Sequence, residues 1–418
     1  RIKVNQTTAA AAREVRLTCR YEEGEIEMKT IPGGVCAPKG FSASGIHCGI
    51  RKNKEKKDLA LILSRTKAAA ASVYTQNLVK GAPIDVTKAN IADGYAQAII
   101  CNSGNANTCN ADGIEIAQGM CRLLAKAAGI SAADVIVAST GVIGQPLSLE
   151  PMAAGMDELV KSLTSEAAGS KAASAAIMTT DTAEKEVALE FTLGGKTCRM
   201  GGIAKGSGMI HPNMATMLVF ITTDAAISPG LLQKALSADI EDTFNMISVD
   251  GDTSTNDMVS VMANGQAGNP VIDKEEEDYA AFAAALNTVT TWLSKAIARD
   301  GEGATKLLEC AVSGAKDKAA ARKVAKSVIC SNLLKAAMFG ADANWGRILC
   351  AIGYSGADVD VNNIDVNLGS AAGRFLVCQK GRGVDFSEEF AKKVLTKDAI
   401  LIDVRLNQGE ASATAWGC

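Results

Sequence analysis

The stretch Lys205-Gly206-Ser207-Gly208-Met209-Ile210-His211-Pro212-Asn213-Met214-Ala215-Thr216-Met217-Leu218 lies near the middle of the 418-residue chain and changes character at Thr216. Before that residue the sequence is rich in Gly and turn formers. After it runs Met217-Leu218-Val219-Phe220-Ile221, which ends at Thr222-Thr223-Asp224. A short apolar run bounded by turn residues predicts a strand buried on both faces. A hydroxyl residue therefore stands where a tight loop meets a core strand. A Thr hydroxyl is a weak nucleophile until a base lies within hydrogen-bond reach. Its own α-amine is such a base, with a reference pKa of about 7.7–8.0, but it exists only if the preceding peptide bond is cut. The bond between Ala215 and Thr216 suits that cut. The hydroxyl would attack the Ala215 carbonyl, take the acyl group onto oxygen, and leave Thr216 as a new N-terminus when the ester hydrolyses. From spacing alone the simpler reading, a Gly-rich turn entering a core strand, stands ahead of the chemical one.

Working outward, Val187, Leu189 and Phe191 alternate with Ala188, Glu190 and Thr192, and Gly194-Gly195 turns the chain into 197–203. That pattern predicts a hairpin feeding the central loop. The apolar runs 59–63 and 98–101 read as buried strands, and 114–128 has helical spacing with Gly129 as its stop. A strand is expected over 134–138, with Ser139-Thr140-Gly141 turning out of it, then helices over 149–164 and 167–178. Downstream the spacing predicts helices over 229–246 and 275–299. The second repeats Phe282, Leu286, Val289, Leu293 and Ile297 on one face, with an acidic first turn and a basic last turn that suit the helix dipole. Asp317 is placed to cap a helix reaching Met338. Strands follow near 365–368, 375–379 and 400–405. Strands and helices interleave without a fixed-period repeat or the regular beat of a doubly wound sheet, so the fold class is α+β, a layered sandwich.

Composition sets bounds. The length fits two or three domains, or two tightly joined halves. Apolar residues make up 47% of the chain but aromatics only 4%, which predicts a core of Ala, Val, Ile, Leu and Met. A net charge of −3 offers no basic surface for nucleic acid. No apolar run reaches the roughly 18 residues a membrane span needs. Twelve Cys form no Cys-x-x-Cys pair and only two His are present, so no metal site is expected. Runs such as Ile99-Ile100-Cys101 and Ile348-Leu349-Cys350 cast the Cys as small buried hydrophobes in a reducing compartment. Residues 1–28 fit the remaining pattern poorly and read as a disordered extension. Residues 51–58 mix charges and read as a solvated loop. Asp250, Asp252 and Ser254 begin like a calcium loop, but Thr255 replaces the required Gly and Val261 the required Glu. Gly206-Ser207-Gly208 is no nucleophile elbow, because Lys205 precedes it.

Several long motifs occur in one order: Lys57-Asp58-Leu59-Ala60, Asn102-Ser103-Gly104-Asn105-Ala106-Asn107, Ser139-Thr140-Gly141-Val142-Ile143-Gly144 and Thr179-Thr180-Asp181-Thr182. Val249-Asp250-Gly251-Asp252-Thr253-Ser254-Thr255-Asn256-Asp257, Gly301-Glu302-Gly303-Ala304-Thr305-Lys306 and Asn344-Trp345-Gly346-Arg347 follow. With the central stretch, they make the chain from about residue 31 onward resemble the ornithine acetyltransferases, also called glutamate N-acetyltransferases, of arginine biosynthesis. The resemblance implies a sandwich of sheets between helices, made as a cytoplasmic precursor that cuts itself between Ala215 and Thr216. It implies an α chain over 29–215 and a β chain over 216–418, two copies of each assembling together. Thr216 would carry an acetyl group from N-acetylornithine to glutamate, with Thr140 and the Gly141 amide as oxyanion hole. Thr182, Lys205, Thr216 and Glu302 would contact substrate, Lys205 pairing with a carboxylate and Glu302 with the ornithine ammonium. No bound cofactor is implied; some members use acetyl-CoA as co-substrate. His211, five residues before Thr216, is the competing candidate base. The family also implies a short tail beyond Cys418 with an Asn and a Ser or Thr against substrate, which no position here matches; the sequence is expected to stop short of it. Related folds use a processed Thr as an aminopeptidase or amidase, the alternative reading.

Overall fold

The described residues of this computed structural model are 16–21, 24–211 and 217–418. They fall into two units, Arg1–Gly206 with Asn213–Ile240 and Thr253–Leu293, and Ser207–Pro212 with Glu241–Asp252 and Ser294–Cys418.

In the first unit the run after Thr216 forms β9 (Leu218–Thr223), all six residues buried. It is an interior strand. β8 (Lys196–Lys205) pairs with it antiparallel and β11 (Met258–Ala263) pairs parallel. Beyond β8 lie β7 (Lys185–Leu193), β2 (Gly24–Ile31) and β1 (Arg16–Tyr21). Beyond β11 lie β4 (Leu59–Tyr74), β5 (Tyr95–Asn105) and β6 (Val135–Val142), and β3 (Phe41–Ile46) pairs with the first part of β4. Successive side chains on a strand point to opposite faces, so the continuous apolar runs feed two cores. Leu59, Leu61, Ile100, Val135 and Val137 cluster with Met120 and Leu124 of α2 (Gly113–Ala128) and Met152 and Leu159 of α3 (Glu150–Lys161). Ala60, Ile62, Ile99, Ile136, Leu218 and Phe220 cluster with Ala173 and Ile177 of α4 (Ala167–Ile177). Burying each large aliphatic side chain is worth about 1.5–3 kcal/mol, so the sheet is anchored from both sides. α1 (Ala82–Asn90) packs on β6, and α5 (Pro229–Ile240) on β4. α6 (Glu277–Arg299) buries Phe282, Leu286, Val289, Leu293 and Ile297, the face its spacing predicts.

The second unit is a seven-stranded mixed sheet, edge to edge β10 (Ile247–Ser248), β17 (Ala411–Gly417), β12 (Leu307–Ala315), β16 (Ala399–Arg405), β13 (Asp365–Ser370), β14 (Gly373–Gln379) and β15 (Arg382–Gly383). α7 (Lys318–Cys330) packs on β12 and β17 and α10 (Glu388–Leu395) on β13 and β14; α8 (Asn332–Phe339) and α9 (Trp345–Gly353) complete it. The architecture is α+β, mixed sheets layered with helices. No helix among the described residues is long and apolar enough to cross a membrane.

Several expectations need correction. The helix capped by Asp317, whose side chain accepts from the Ala320 amide at 2.7 Å, stops at Cys330, because Ser331 caps a new helix by accepting from Leu334 N. The helix expected over 229–246 ends at Ile240 and gives way to a single 3₁₀ turn at Phe244–Met246. Strand β6 continues through Gly141 to Val142 instead of ending at Ala138. Cys350 is exposed, since α9 turns Ile348, Ala351 and Ile352 inward. The loop over 51–57 leads into Asp58, which is fully buried and accepts the amides of Cys48, Gly49 and Arg51. Within the stretch read as a disordered extension, Arg16–Tyr21 pairs antiparallel with Gly24–Ile31; residues 1–15 lie outside the described residues.

Candidate active site

Ala215 and Thr216 lie outside the described residues. What the first unit does fix is the strand that begins two residues later. Leu218, two residues beyond Thr216, pairs with Lys205 in β8 and with Met258 in β11, and the Met217 carbonyl accepts from the Met258 amide at 2.9 Å. Lys205 is buried. Burial pulls its pKa down, and the nearby carboxylates of Asp181 and Asp257 oppose that shift. Asp181 is the best-partnered carboxylate in the region. Its Oδ1 accepts from Lys185 Nζ at 2.7 Å and from Gly206 N at 2.6 Å, and its Oδ2 from Thr179 N at 2.9 Å. Burial alone would raise the Asp181 pKa; the charges of Lys205 and Lys185 and these hydrogen bonds outweigh it and hold the carboxyl at about 2. Asp257 is different. Its Oδ2 is buried without a hydrogen-bond partner among the described residues, and burial drives its pKa well above the usual carboxylate range. Asp181 therefore lies between two buried cations, Lys185 and Lys205, and its charge acts on both.

Thr140 and Gly141 sit where β5 and β6 both bend. Gly141 has φ +137° and pairs with Gly104, itself at φ +97°. A Cβ on Gly141 would lie 2.3 Å from the Gly104 carbonyl carbon and 2.5 Å from Asn105 N, so only glycine fits. Thr140 is buried, and the peptide before it is held in place. Asn256 Nδ2 donates to the Ser139 carbonyl at 2.9 Å and also to the Ala106 carbonyl, while Asn256 Oδ1 accepts from Thr108 Oγ1 at 2.6 Å. Ser139 Oγ donates to Asn102 Oδ1 at 2.6 Å, and Asn102 Nδ2 to the Asn105 carbonyl at 2.9 Å. The Asn-rich motif at the end of β5 supplies part of this buried polar network. Thr182 is exposed and lines a cavity of about 560 Å³ with Arg51, Thr179 and Asp181.

Glu302 lies in the second unit, on an exposed turn. Its amide donates to the Ser207 carbonyl at 2.9 Å, Ser207 Oγ donates to the Asp300 carbonyl at 2.8 Å, and a Cβ on Gly208 would lie 2.5 Å from Glu302 Oε2. Asp250 accepts from the amides of Met209 at 2.6 Å, Ile210 at 2.9 Å and Asp252 at 3.0 Å. Glu302, Asp250, Lys306 and Lys335 line a cavity of about 610 Å³. His211 Nδ1 lies 2.9 Å from Ser248 Oγ, half buried, and burial with the charge of Lys326 lowers its pKa. That placement gives it a structural partner within its own unit.

The resemblance named Thr140, Gly141, Thr182, Lys205 and Glu302, and the structure places the first four in one unit and Glu302 in the other. Sequence reasoning missed Asp181 as an ion-pair centre, Lys185, Asp250 and Asn256. All four lay within or beside quoted motifs, but a polar residue that serves a distant backbone leaves no periodic signal.

A family model, the ArgJ family, matches residues 42–418. The arginine biosynthesis bifunctional protein ArgJ of Symbiobacterium thermophilum is 50% identical over 393 residues, 94% of this chain and 96% of that protein. The protein of the same name from Caldanaerobacter subterraneus is 49% identical over 392 residues, 94% and 96% of the two chains. The solved ornithine acetyltransferase of Mycobacterium tuberculosis, in complex with ornithine, is 35% identical, with 45% of this chain and 100% of that one covered and a TM-score of 0.42. Matched over nine-tenths of its length by a family model and by close relatives, the chain belongs to the ArgJ family.

Proposed function

We propose that this chain is the acetyltransferase of arginine biosynthesis that moves an acetyl group from N2-acetylornithine to glutamate, through an ester on Thr216. Self-cleavage between Ala215 and Thr216 frees the Thr216 α-amine. That amine takes the hydroxyl proton as Oγ attacks the acetyl carbonyl, and ornithine leaves with the proton when the C–N bond breaks. Glutamate then attacks the ester by the reverse route and leaves as N-acetylglutamate. Thr140 and the Gly141 amide stabilise the oxyanion in both half-reactions. Lys205 receives a substrate carboxylate, Thr182 donates to substrate, and Glu302 accepts the ornithine ammonium. The chains over 29–215 and 216–418 stay associated, two copies of each, in the cytoplasm. No bound cofactor takes part; acetyl-CoA serves as a second acetyl donor, in keeping with relatives named bifunctional.

The observation that carries this reading is the register setting buried Lys205 opposite Leu218, two residues beyond Thr216, in a chain of this family. Incubation with N-acetylornithine and glutamate, with and without acetyl-CoA, tests it. Ornithine release matched by N-acetylglutamate is expected. Release of free acetate in place of acetylglutamate would favour an N-terminal-Thr amidase.

A further inference from the structure

The cavity that Thr182 lines contains a cation the reaction has not used. Arg51 Nη2 donates to the Met178 carbonyl, but its Nε is buried with no hydrogen-bond partner among the described residues. A guanidinium presents five donors in a planar fork and keeps its charge, so a buried donor without an acceptor is costly unless a ligand completes it. The two carboxylates whose charges reach Arg51 are Asp58 and Asp181, and both are engaged elsewhere. Asp58 accepts the amides of Cys48, Gly49 and Arg51, and Asp181 accepts from Lys185 and from the amides of Thr179 and Gly206. Of the other cations lining the cavity, Lys57 is tied to the Gly45 carbonyl at 2.8 Å. The Arg51 stem packs on Gly104, where a Cβ would lie 2.9 Å from its Cγ, and the backbone of Gly104 is the same one that abuts Gly141. Arg51 therefore lines the cavity with its stem against Gly104, the residue that abuts Gly141. Glu55 and Glu184 also line the cavity, which limits how much negative charge it accepts.

We propose that Arg51 is an anion-binding residue of this cavity, taking the carboxylate of an amino-acid substrate or a phosphate of the acyl carrier. The proposal rests on the acyl-transfer reading for its choice of ligands, so its test uses direct binding and needs no turnover. Glutamate and coenzyme A are titrated separately into the wild-type protein, Arg51→Gln, Arg51→Lys and Lys54→Gln, with melting temperatures recorded alongside. Arg51→Gln should weaken one ligand ~10-fold or more, Arg51→Lys by less, because a point charge replaces the bidentate fork. Lys54→Gln, on the same loop, should change neither. Loss confined to glutamate assigns the carboxylate, and loss confined to coenzyme A assigns the phosphate. Unchanged affinity for both in Arg51→Gln, equal weakening by Lys54→Gln, or no binding of either ligand to wild type overturns the proposal. Should Arg51→Gln not fold, unchanged affinities in Arg51→Lys overturn it. Failure of acetyl transfer by a wild-type protein that still binds either ligand would instead count against the acyl-transfer reading.

Discussion

Two turns carry candidate site residues, and they are built by opposite means. At 139–144 in the first unit, Thr140 is buried, Gly141 is forced into a left-handed conformation against Gly104, and the preceding carbonyl is held by Asn256 from more than a hundred residues away. At 300–304 in the second unit, Glu302 is exposed on a turn closed by its own backbone and by Ser207. The difference fits the roles proposed for the two turns. Donors aimed at a developing oxyanion work only if they need no reorganisation as charge appears, which demands burial and cross-linking. A carboxylate that receives an ammonium needs only its charge in roughly the right place, and water can stay nearby.

Perturbations of buried, cross-linked groups should therefore cost more than perturbations of the exposed turn. Asp181→Asn breaks a buried ion pair with Lys185 and should cost on the order of 3–5 kcal/mol in chemical denaturation. The same carboxylate fixes an acid limb. Its pKa is depressed from 3.8 to about 2, so its stabilisation is present above pH ~4 and lost as the pH falls towards 2. That loss is about 2 kcal/mol, and Asp181→Asn should flatten it. Gly141→Ala should lower kcat by about 10²–10³ in steady-state assays if the added methyl displaces the amide from the oxyanion. Asn256→Ala frees the Ser139 peptide and should reduce kcat by about 10–100-fold with little change in KM, a split that simple destabilisation would not give. Glu302→Gln should have the smallest effect, raising KM for N-acetylornithine by about tenfold while leaving kcat and melting temperature near wild type. A larger loss at Glu302 than at Asn256 would reverse the ranking.

Much of the fold was legible because apolar runs such as 59–63, 98–101 and 217–221 belong to strands buried on both faces, where most residues are apolar. Helix ends were legible where the cap is local, as at Gly129 and Asp317, and not where a hydroxyl interrupts an apolar pattern, as at Ser331. The strand Met258–Ala263 escaped notice because its Ser260 looks polar, yet Ser260 Oγ is bonded to Ser72 Oγ at 2.7 Å inside the sheet. In the site, Lys205, Glu302 and Gly141 were named through motifs shared with a known family, since charge and Gly content alone read as surface and turn. Asn256 and Asp250 could not be assigned roles in the same way, since the carbonyl and amides they serve lie about 117 and 40 residues away.

The central claim concerns the covalent state of the chain around Thr216. Mass spectrometry of the purified protein under denaturing conditions, with N-terminal sequencing of each species, tests it most directly. Two fragments are expected, the second beginning at Thr216, and a Thr216→Ala variant should remain one chain without acetyl transfer. A single chain with the bond between Ala215 and Thr216 intact, transferring acetyl at the full rate, would contradict the account.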